Sequence, residues 1–279
     1  MMMMRRLIWA LAALPLIAAA PAPKGAPRRI VSVNLCADQY LMALADPGQI
    51  AALSPNARDP DLSAGAAKAR RFAIIRKPGE QVLAMKPDLV IGFPDGAGGI
   101  VGAPRGDWRT LGVANAESWG AIIEQIRAVA AAIGHRDRGE AMIAAMERDL
   151  ASLPRVGKAG VAAYYQRRGY MTGTGTLVDE LMGRAGLTNL AAIMGRPALA
   201  QTPLEEMVAR RPDWLIVESA TDKVVDQGTE MLHHPALRAI PRLRLPQAWT
   251  VCGGPSYVTA ARSLIAQINA RRAAKRAGR

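Results

Sequence analysis

The sequence of 279 residues is 50% apolar and strongly basic, with 36 Lys and Arg against 23 Asp and Glu, a net charge of +13. The apolar fraction is typical of a globular core, while five cations within the last nine residues, not interleaved with aromatic rings, give no support for nucleic-acid binding. The chain has only two cysteines and three histidines, and no two histidines have the i, i+4 spacing of metal ligands on one helical face, so we expect no metal site.

The N-terminus has the pattern of an export signal. Arg5 and Arg6 precede an apolar run from Leu7 to Ile17, and Ala18 and Ala20 fit an A-x-A cleavage site. We therefore predict a signal peptide at 1–20, cleaved near Ala20, and a mature protein in the periplasm; a retained anchor helix is the alternative. No later stretch is apolar over the roughly 20 residues that a membrane-spanning helix needs. No cysteine stands at the cleavage point, so the sequence gives no sign of a lipid anchor.

The first half of the mature chain alternates predicted strands and helices. The strands are expected at 29–34, 50–53, 88–92 and near 112–115, and the helices at 39–45, 80–85 and from Ser118, an N-cap residue, to 133. The glycine-rich stretch 92–106 is predicted as a loop.

A second helix follows at 136–152 and ends before Pro154, after which the alternation starts again. Strands are expected at 160–166, 213–218 and 242–245, and helices at 177–185, 203–210 and 256–270. This order predicts an α/β fold of two small, mainly parallel-sheet lobes joined by a single long helix, with a ligand cleft between them. The predicted divisions are an N-terminal lobe at 28–134, a connecting helix at 135–153, a C-terminal lobe at 155–270 and a solvated, frayed basic tail at 271–279.

Two segments repeat one another. EQVLAMKPDLVI from Glu80 and EEMVARRPDWLI from Glu205 share an acid, an apolar pair, Ala, a cation, Pro-Asp and an apolar triplet. Each is typical of a short helix stopped by Pro before a buried strand, which indicates two lobes of one design. The initial acid has two interpretations: a helix-dipole partner, with Thr202 to Glu205 forming a capping box, or a carboxylate displayed to a partner.

These segments, with RIVSVNLCAD near the start and TGTLVDELMGRAGLTNLA in the second half, resemble the periplasmic binding proteins of importers for iron-siderophores, haem and vitamin B12. The resemblance covers nearly the whole mature chain. It implies two lobes bridged by a helix, and it implies that Glu80 and Glu205 meet arginines on the membrane subunits of an ATP-driven (ABC) importer.

The resemblance also implies a cleft at the ends of strands, where open α/β sheets bind ligands. The substrate-binding residues expected there are Asn34, Cys36, Phe93, Tyr165, Arg167, Arg168, Trp249 and Cys252. The aromatic side chains would stack on a flat ring or else only pack within the lobes. The arginines would hold an anionic ferric chelate or else lie on a solvated surface turn. Ile74, Leu199 and Ala248 replace residues of the vitamin B12 pocket, which argues against cobalamin.

The two cysteines have three interpretations, as inert buried thiols, as a bridge between the lobes, or as ligands of haem iron or a soft metal. An oxidising compartment permits a disulfide without requiring one.

These observations predict a monomeric binding protein without catalytic residues or cofactor, which carries an iron chelate, a siderophore or haem, to the importer. A cobalamin-binding protein of the same class is one alternative. An exported hydrolase is another, but no G-x-S-x-G nucleophile motif is present. A nitrogenase-type cluster scaffold shares the fold plan, but the chain lacks cluster-spaced cysteines.

Overall fold

The computed structural model describes residues 25–93, 108–218, 221, 224 and 226–278. The predicted signal peptide and the predicted glycine-rich loop, apart from Gly92 and Phe93, lie outside these residues. No helix within the described ranges combines the length and the apolar character needed to cross a bilayer.

The first sheet is built from four parallel strands in the order β2-β1-β3-β4. The strands are β1 (Ile30–Ser32), β2 (Ile50–Ala52), β3 (Leu89–Phe93) and β4 (Arg109–Gly112). The helices of this first lobe are α1 (Leu35–Leu44), α2 (Ala66–Ala69), α3 (Pro78–Met85) and α4 (Trp119–Ala132).

The helix α5 (Arg136–Ala151) separates the two sheets along the chain, and its 16 residues span about 24 Å. The second parallel sheet has the order β10-β9-β5-β7, and β6 and β8 form a separate antiparallel pair. The strands are β5 (Gly160–Tyr164), β6 (Tyr170–Thr172), β7 (Leu187–Asn189), β8 (Leu199–Gln201), β9 (Trp214–Val217) and β10 (Arg242–Arg244). The helices of this second lobe are α6 (Leu177–Arg184), α7 (Leu190–Ile193), α8 (Leu204–Arg210), α9 (Gln227–Glu230) and α10 (Tyr257–Ala277).

The two four-stranded sheets have the same topology. Superposing β1 on β5 and β3 on β9 places β2 on β7 and β4 on β10. The predicted fold class, two parallel-sheet α/β lobes, is therefore confirmed.

The repeated Pro-Asp segments have one structural role in both lobes. Each helix before the segment ends in a left-handed residue, Lys86 with φ 44° or Arg211 with φ 45°. The aspartate then accepts hydrogen bonds from backbone N–H groups at the start of the neighbouring strand: Asp88 from Arg28 and Arg29, at 2.6 and 3.0 Å, and Asp213 from Val161, at 2.7 Å. The aspartates thus fix the register of the central strand pair of each sheet.

Alternate residues of the central strands face different cores, as the two-residue period of a strand requires. On β5, Ala162 and Tyr164 belong to the large core that α4, α5 and α10 share, whereas Ala163 belongs to a smaller core on the outer face of the second sheet. The large core contains side chains from both lobes, so the lobes are packed together through these helices.

Three sequence-based expectations need correction. The basic tail is not frayed, because α10 continues to Ala277 and Arg272 donates to the Lys158 carbonyl. The helix α1 starts at Leu35, earlier than predicted, because the Asn34 side chain caps it. Thr202 is not the cap of a capping box, because Pro203 is the N-cap of α8 and no side chain caps this helix.

Candidate functional site

A cavity of about 270 Å³ lies beyond the carboxyl ends of β5 and β9, at the junction of the two lobes. Most of its lining residues belong to the second lobe, and Glu117 belongs to the first. Polar lining residues include Glu117, Tyr164, Gln166, Thr172, Glu218 and Thr250. Ligands of open α/β folds bind at this edge of a sheet, so this cavity is the candidate site.

The polar centre of the cavity is Glu218, which directly follows β9 and is only 8% exposed. Its Oε1 atom accepts hydrogen bonds from the Tyr164 hydroxyl at 3.0 Å and from the Gln166 side-chain amide at 3.2 Å. Burial, and then the negative charge of Glu218, raise the pKa of Tyr164 far above its ordinary value. Tyr164 is therefore a neutral donor that holds the carboxylate in place.

Tyr165 does not line this cavity. The strand period turns it to the opposite face of β5, where it is fully buried and its hydroxyl donates to the Thr202 carbonyl at 2.9 Å. Burial, reinforced by the charge of Glu205, raises the pKa of Tyr165 to about 12. The structure thus places Tyr165 in the core of the second lobe, and its neighbour Tyr164 takes the position at the cavity.

Arg167 and Arg168 lie on an exposed turn after β5. The Arg167 guanidinium forms an ion pair with Asp226, which caps α9. Arg168 has a left-handed backbone with φ 57°, and its carbonyl accepts from Gln201. Neither arginine is among the residues that line the cavity.

Asn34 caps a helix of the first lobe, and the cysteine beside it joins this lobe to the second. The Asn34 side chain accepts from the Cys36 and Ala37 N–H groups, at 2.7 and 3.3 Å, as the N-cap of α1. Cys36 and Cys252 form a disulfide, so of the three interpretations of these cysteines the bridge is the one observed. As a disulfide they have no thiolate to offer a metal.

The chain after Cys252 extends this contact. The Tyr40 hydroxyl of α1 donates to the Gly253 carbonyl at 2.5 Å. A Cβ atom on Gly253 would overlap the Ala116 carbonyl oxygen, so glycine permits the close approach of the two backbones. The loop 252–254 is thus fastened to the first lobe by a covalent bond, a hydrogen bond and backbone packing.

Two carboxylates cap helices across the junction. Glu117, before α4, accepts from the Leu177 N–H at the start of α6 at 3.0 Å. In return, Glu180 on α6 accepts from the Trp119 N–H at the start of α4 at 2.8 Å. Each negative charge lies at a helix N-terminus, where it is stabilising, so the pair fixes the orientation of α4 relative to α6.

The predicted aromatic residues are not brought together at the cavity within the described residues. Phe93 ends β3, and its side chain lies outside the described part of the structure. Trp249 is half-buried and lines a separate cavity of about 420 Å³ with Gln39, Met42 and Lys68. In the described ranges, no three His, Cys, Asp or Glu side chains are grouped as metal ligands.

Glu80 and Glu205 occupy equivalent positions in the first turns of α3 and α8, and both are exposed. Each helix leads back into a central parallel strand, so its N-terminus lies near the carboxyl edge of its sheet. Neither glutamate has a hydrogen bond or ion pair among the described residues.

Sequence reasoning missed Tyr164 and Glu218 as cavity residues. The signal for Glu218 was present, because it is an acid placed directly after a buried apolar strand. The strand period could also have separated Tyr164 from Tyr165, but only once the inner face of β5 was known.

A family model described as "Periplasmic binding protein" matches residues 30–244 of this chain. No curated protein matches the sequence significantly.

Solved structures of low sequence identity share the fold. The apo form of the periplasmic heme-binding protein RhuT from Roseiflexus sp. RS-1 aligns with a TM-score of 0.66 and 24% identity, over 86% of this chain and 97% of that one. An ABC-type Fe3+-hydroxamate transport system protein from Saccharomonospora viridis gives 0.61 and 20%, over 88% and 93%. The periplasmic vitamin B12 binding protein BtuF of Vibrio cholerae gives 0.60 and 16%, over 88% and 98%.

Proposed function

Because the chain belongs to the periplasmic binding protein family, we propose that it is the substrate-binding component of an ABC importer, located in the periplasm, and that it captures an iron chelate. The observation that carries the proposal is the cavity at the junction of two lobes of identical topology. Structures of the same fold are named for heme, Fe3+-hydroxamate and vitamin B12, which supports a bulky chelate as the ligand class.

The periplasmic location is supported by the Cys36–Cys252 disulfide, since such bonds persist in oxidising compartments. The export signal predicted at 1–20 would supply the route. Fractionation of cells that express the full chain, followed by N-terminal sequencing, tests this part: the mature protein is expected in the periplasm with its N-terminus just after Ala20, whereas a full-length cytosolic product contradicts it.

Ligand capture is tested by spectroscopic titration of the purified mature protein with haem, cobalamin and ferric siderophores. Saturable binding of a siderophore or haem, without chemical turnover, is the expected result. Selective binding of cobalamin would replace the iron chelate in this proposal, and failure to bind any of the three would refute it.

We further propose that Glu80 and Glu205 dock the protein onto the importer. The support is their matched position and exposure on the two lobes, which lets two symmetric basic pockets be engaged at once. Exposed ion pairs of this kind contribute about 1 kcal/mol or less each, so their main effect is alignment.

The docking role is tested by reversing both charges, with E80R and E205R combined. Ligand affinity in solution should be unchanged, because neither residue lines the cavity, while uptake should be lost. A control with E124R and E230R makes the same charge change at two other exposed acids, one on each lobe. Equal uptake by the two double variants would refute the docking role.

A further inference from the structure

The cavity carries a negative charge that the described residues leave unneutralised. Both hydrogen bonds to the buried Glu218 carboxylate end on Oε1, and no described group donates to Oε2. Among the described residues no Lys or Arg forms an ion pair with it. Glu218 is nine-tenths buried as a residue, yet Oε2 is not among the buried atoms that lack a partner, so it is open to the cavity and suited to a positive group of the ligand.

The surrounding side chains are compatible with the same kind of group. Thr172, Gln247 and Thr250 line the cavity with hydroxyl and amide oxygens that can accept hydrogen bonds. An ammonium group has three N–H donors and no acceptor, so one donor can reach Glu218 and the others these oxygens. The arginines expected to bind an anion lie on the exposed turn instead, and Arg167 is occupied by Asp226.

The size of the cavity limits what it can hold. Its volume of about 270 Å³ is just below the range of small-molecule pockets, which are roughly 300–1,000 Å³. It therefore fits one arm of a chelate, and the metal-binding part would lie outside it.

We propose that this cavity binds a protonated amine carried on an arm of the chelate, with Glu218 as its counter-ion; this inference rests on the proposed function and narrows its ligand to chelates with a cationic arm. Tyr164 and Gln166 act as positioning residues, because their hydrogen bonds hold Oε1 and leave Oε2 turned to the ligand.

The test compares two ligands that differ only in that charge. Ferrioxamine B is a ferric hydroxamate chelate with a pendant ammonium, and its N-acetyl derivative has the same chelating core without the charge. Titration of the wild-type protein should show binding of ferrioxamine B tighter by about tenfold or more, the ratio expected for one charge-assisted hydrogen bond in a buried site. Equal affinities would overturn the inference.

The variant E218Q should reduce this preference to near unity, while E230Q, an exposed acid on the same lobe, should keep it. The amide oxygen that E218Q introduces can still accept from Tyr164, and the thermal midpoint checks that the variant is folded. Should E218Q not fold, the two ligands on the wild-type protein decide the question alone.

The outcomes separate this inference from the proposed function. Binding of haem but of neither hydroxamate chelate refutes the amine site and leaves iron-chelate capture intact. Binding of none of these chelates refutes both.

Discussion

Removal of the disulfide is expected to destabilise the protein substantially, because the bond closes a very long loop. Cys36 and Cys252 are 216 residues apart in sequence. The chain-entropy relation for a loop of that length gives about 5 kcal/mol at 25 °C from the restriction of the unfolded chain alone. Measured values fall below this estimate when the unfolded state keeps structure, so we predict a loss of about 3–5 kcal/mol for C36A/C252A.

The assay is urea and thermal unfolding of the wild-type protein and of C36A/C252A, each with and without reductant. For a chain of this size, such a loss lowers the thermal midpoint by roughly 10 °C. Reductant should bring the wild-type protein to the midpoint of the variant and leave the variant unchanged. If the oxidised wild-type protein and the variant unfold at the same midpoint, the disulfide does not constrain the two lobes as described.

Three further predictions follow from individual contacts. G253A should lower the free energy of unfolding by about 2 kcal/mol or more, because the added Cβ would overlap the Ala116 carbonyl. G254A should cost much less, because its Cβ would have no neighbouring atom closer than 3.7 Å. Equal thermal midpoints for the two variants would refute the close approach of the backbones at Gly253. Tyr165→Phe should lower the free energy of unfolding, measured with urea, by about 1–2 kcal/mol, because the buried hydrogen bond to Thr202 is lost. Ligand affinity should be unchanged. Weaker ligand binding by a variant that folds normally would show that Tyr165 belongs to the binding site. Burial and the neighbouring Arg138 hold the pKa of His135 below its ordinary value of 6.5. As the pH falls, the imidazole is therefore protonated in the unfolded chain before it is protonated in the folded protein, and the free energy of unfolding should decrease below about pH 6.5. His135→Gln should flatten this dependence of stability on pH, and an unchanged dependence would contradict the prediction.

The sequence predicted the plan of the fold because the chain carries the Pro-Asp segment twice, once in each lobe. Apolar triplets after Pro-Asp marked the central strands, and Ser118 marked the start of α4, where its hydroxyl accepts from the Ala121 N–H at 3.2 Å. These are local signals, in which hydrophobic period and capping chemistry agree. The left-handed turns at Lys86 and Arg211 follow the same logic, because a residue before Pro is disfavoured in the helical region.

The site was predicted less well because its geometry depends on contacts between distant parts of the chain. Whether Tyr164 or Tyr165 faces the cavity depends on which side of β5 packs on α10 and α5, and local sequence does not encode that choice. The pairing of Arg167 with Asp226 likewise joins residues from separate loops. The reciprocal caps of Glu117 and Glu180 could not be read from either segment alone.

The contacts at the junction also bear on mechanism. The disulfide, the Tyr40–Gly253 hydrogen bond and the two reciprocal caps all cross between the lobes close to the candidate cavity. A site held in this way loses little conformational entropy when the ligand binds, which favours affinity through preorganisation.

The most decisive experiment is a crystal structure of the mature protein with ferrioxamine B. We predict that the ferric centre lies in the junction between the two lobes and that the ammonium arm lies within hydrogen-bond distance of Glu218 Oε2. A chelate bound elsewhere on the surface, with the cavity empty, would contradict it.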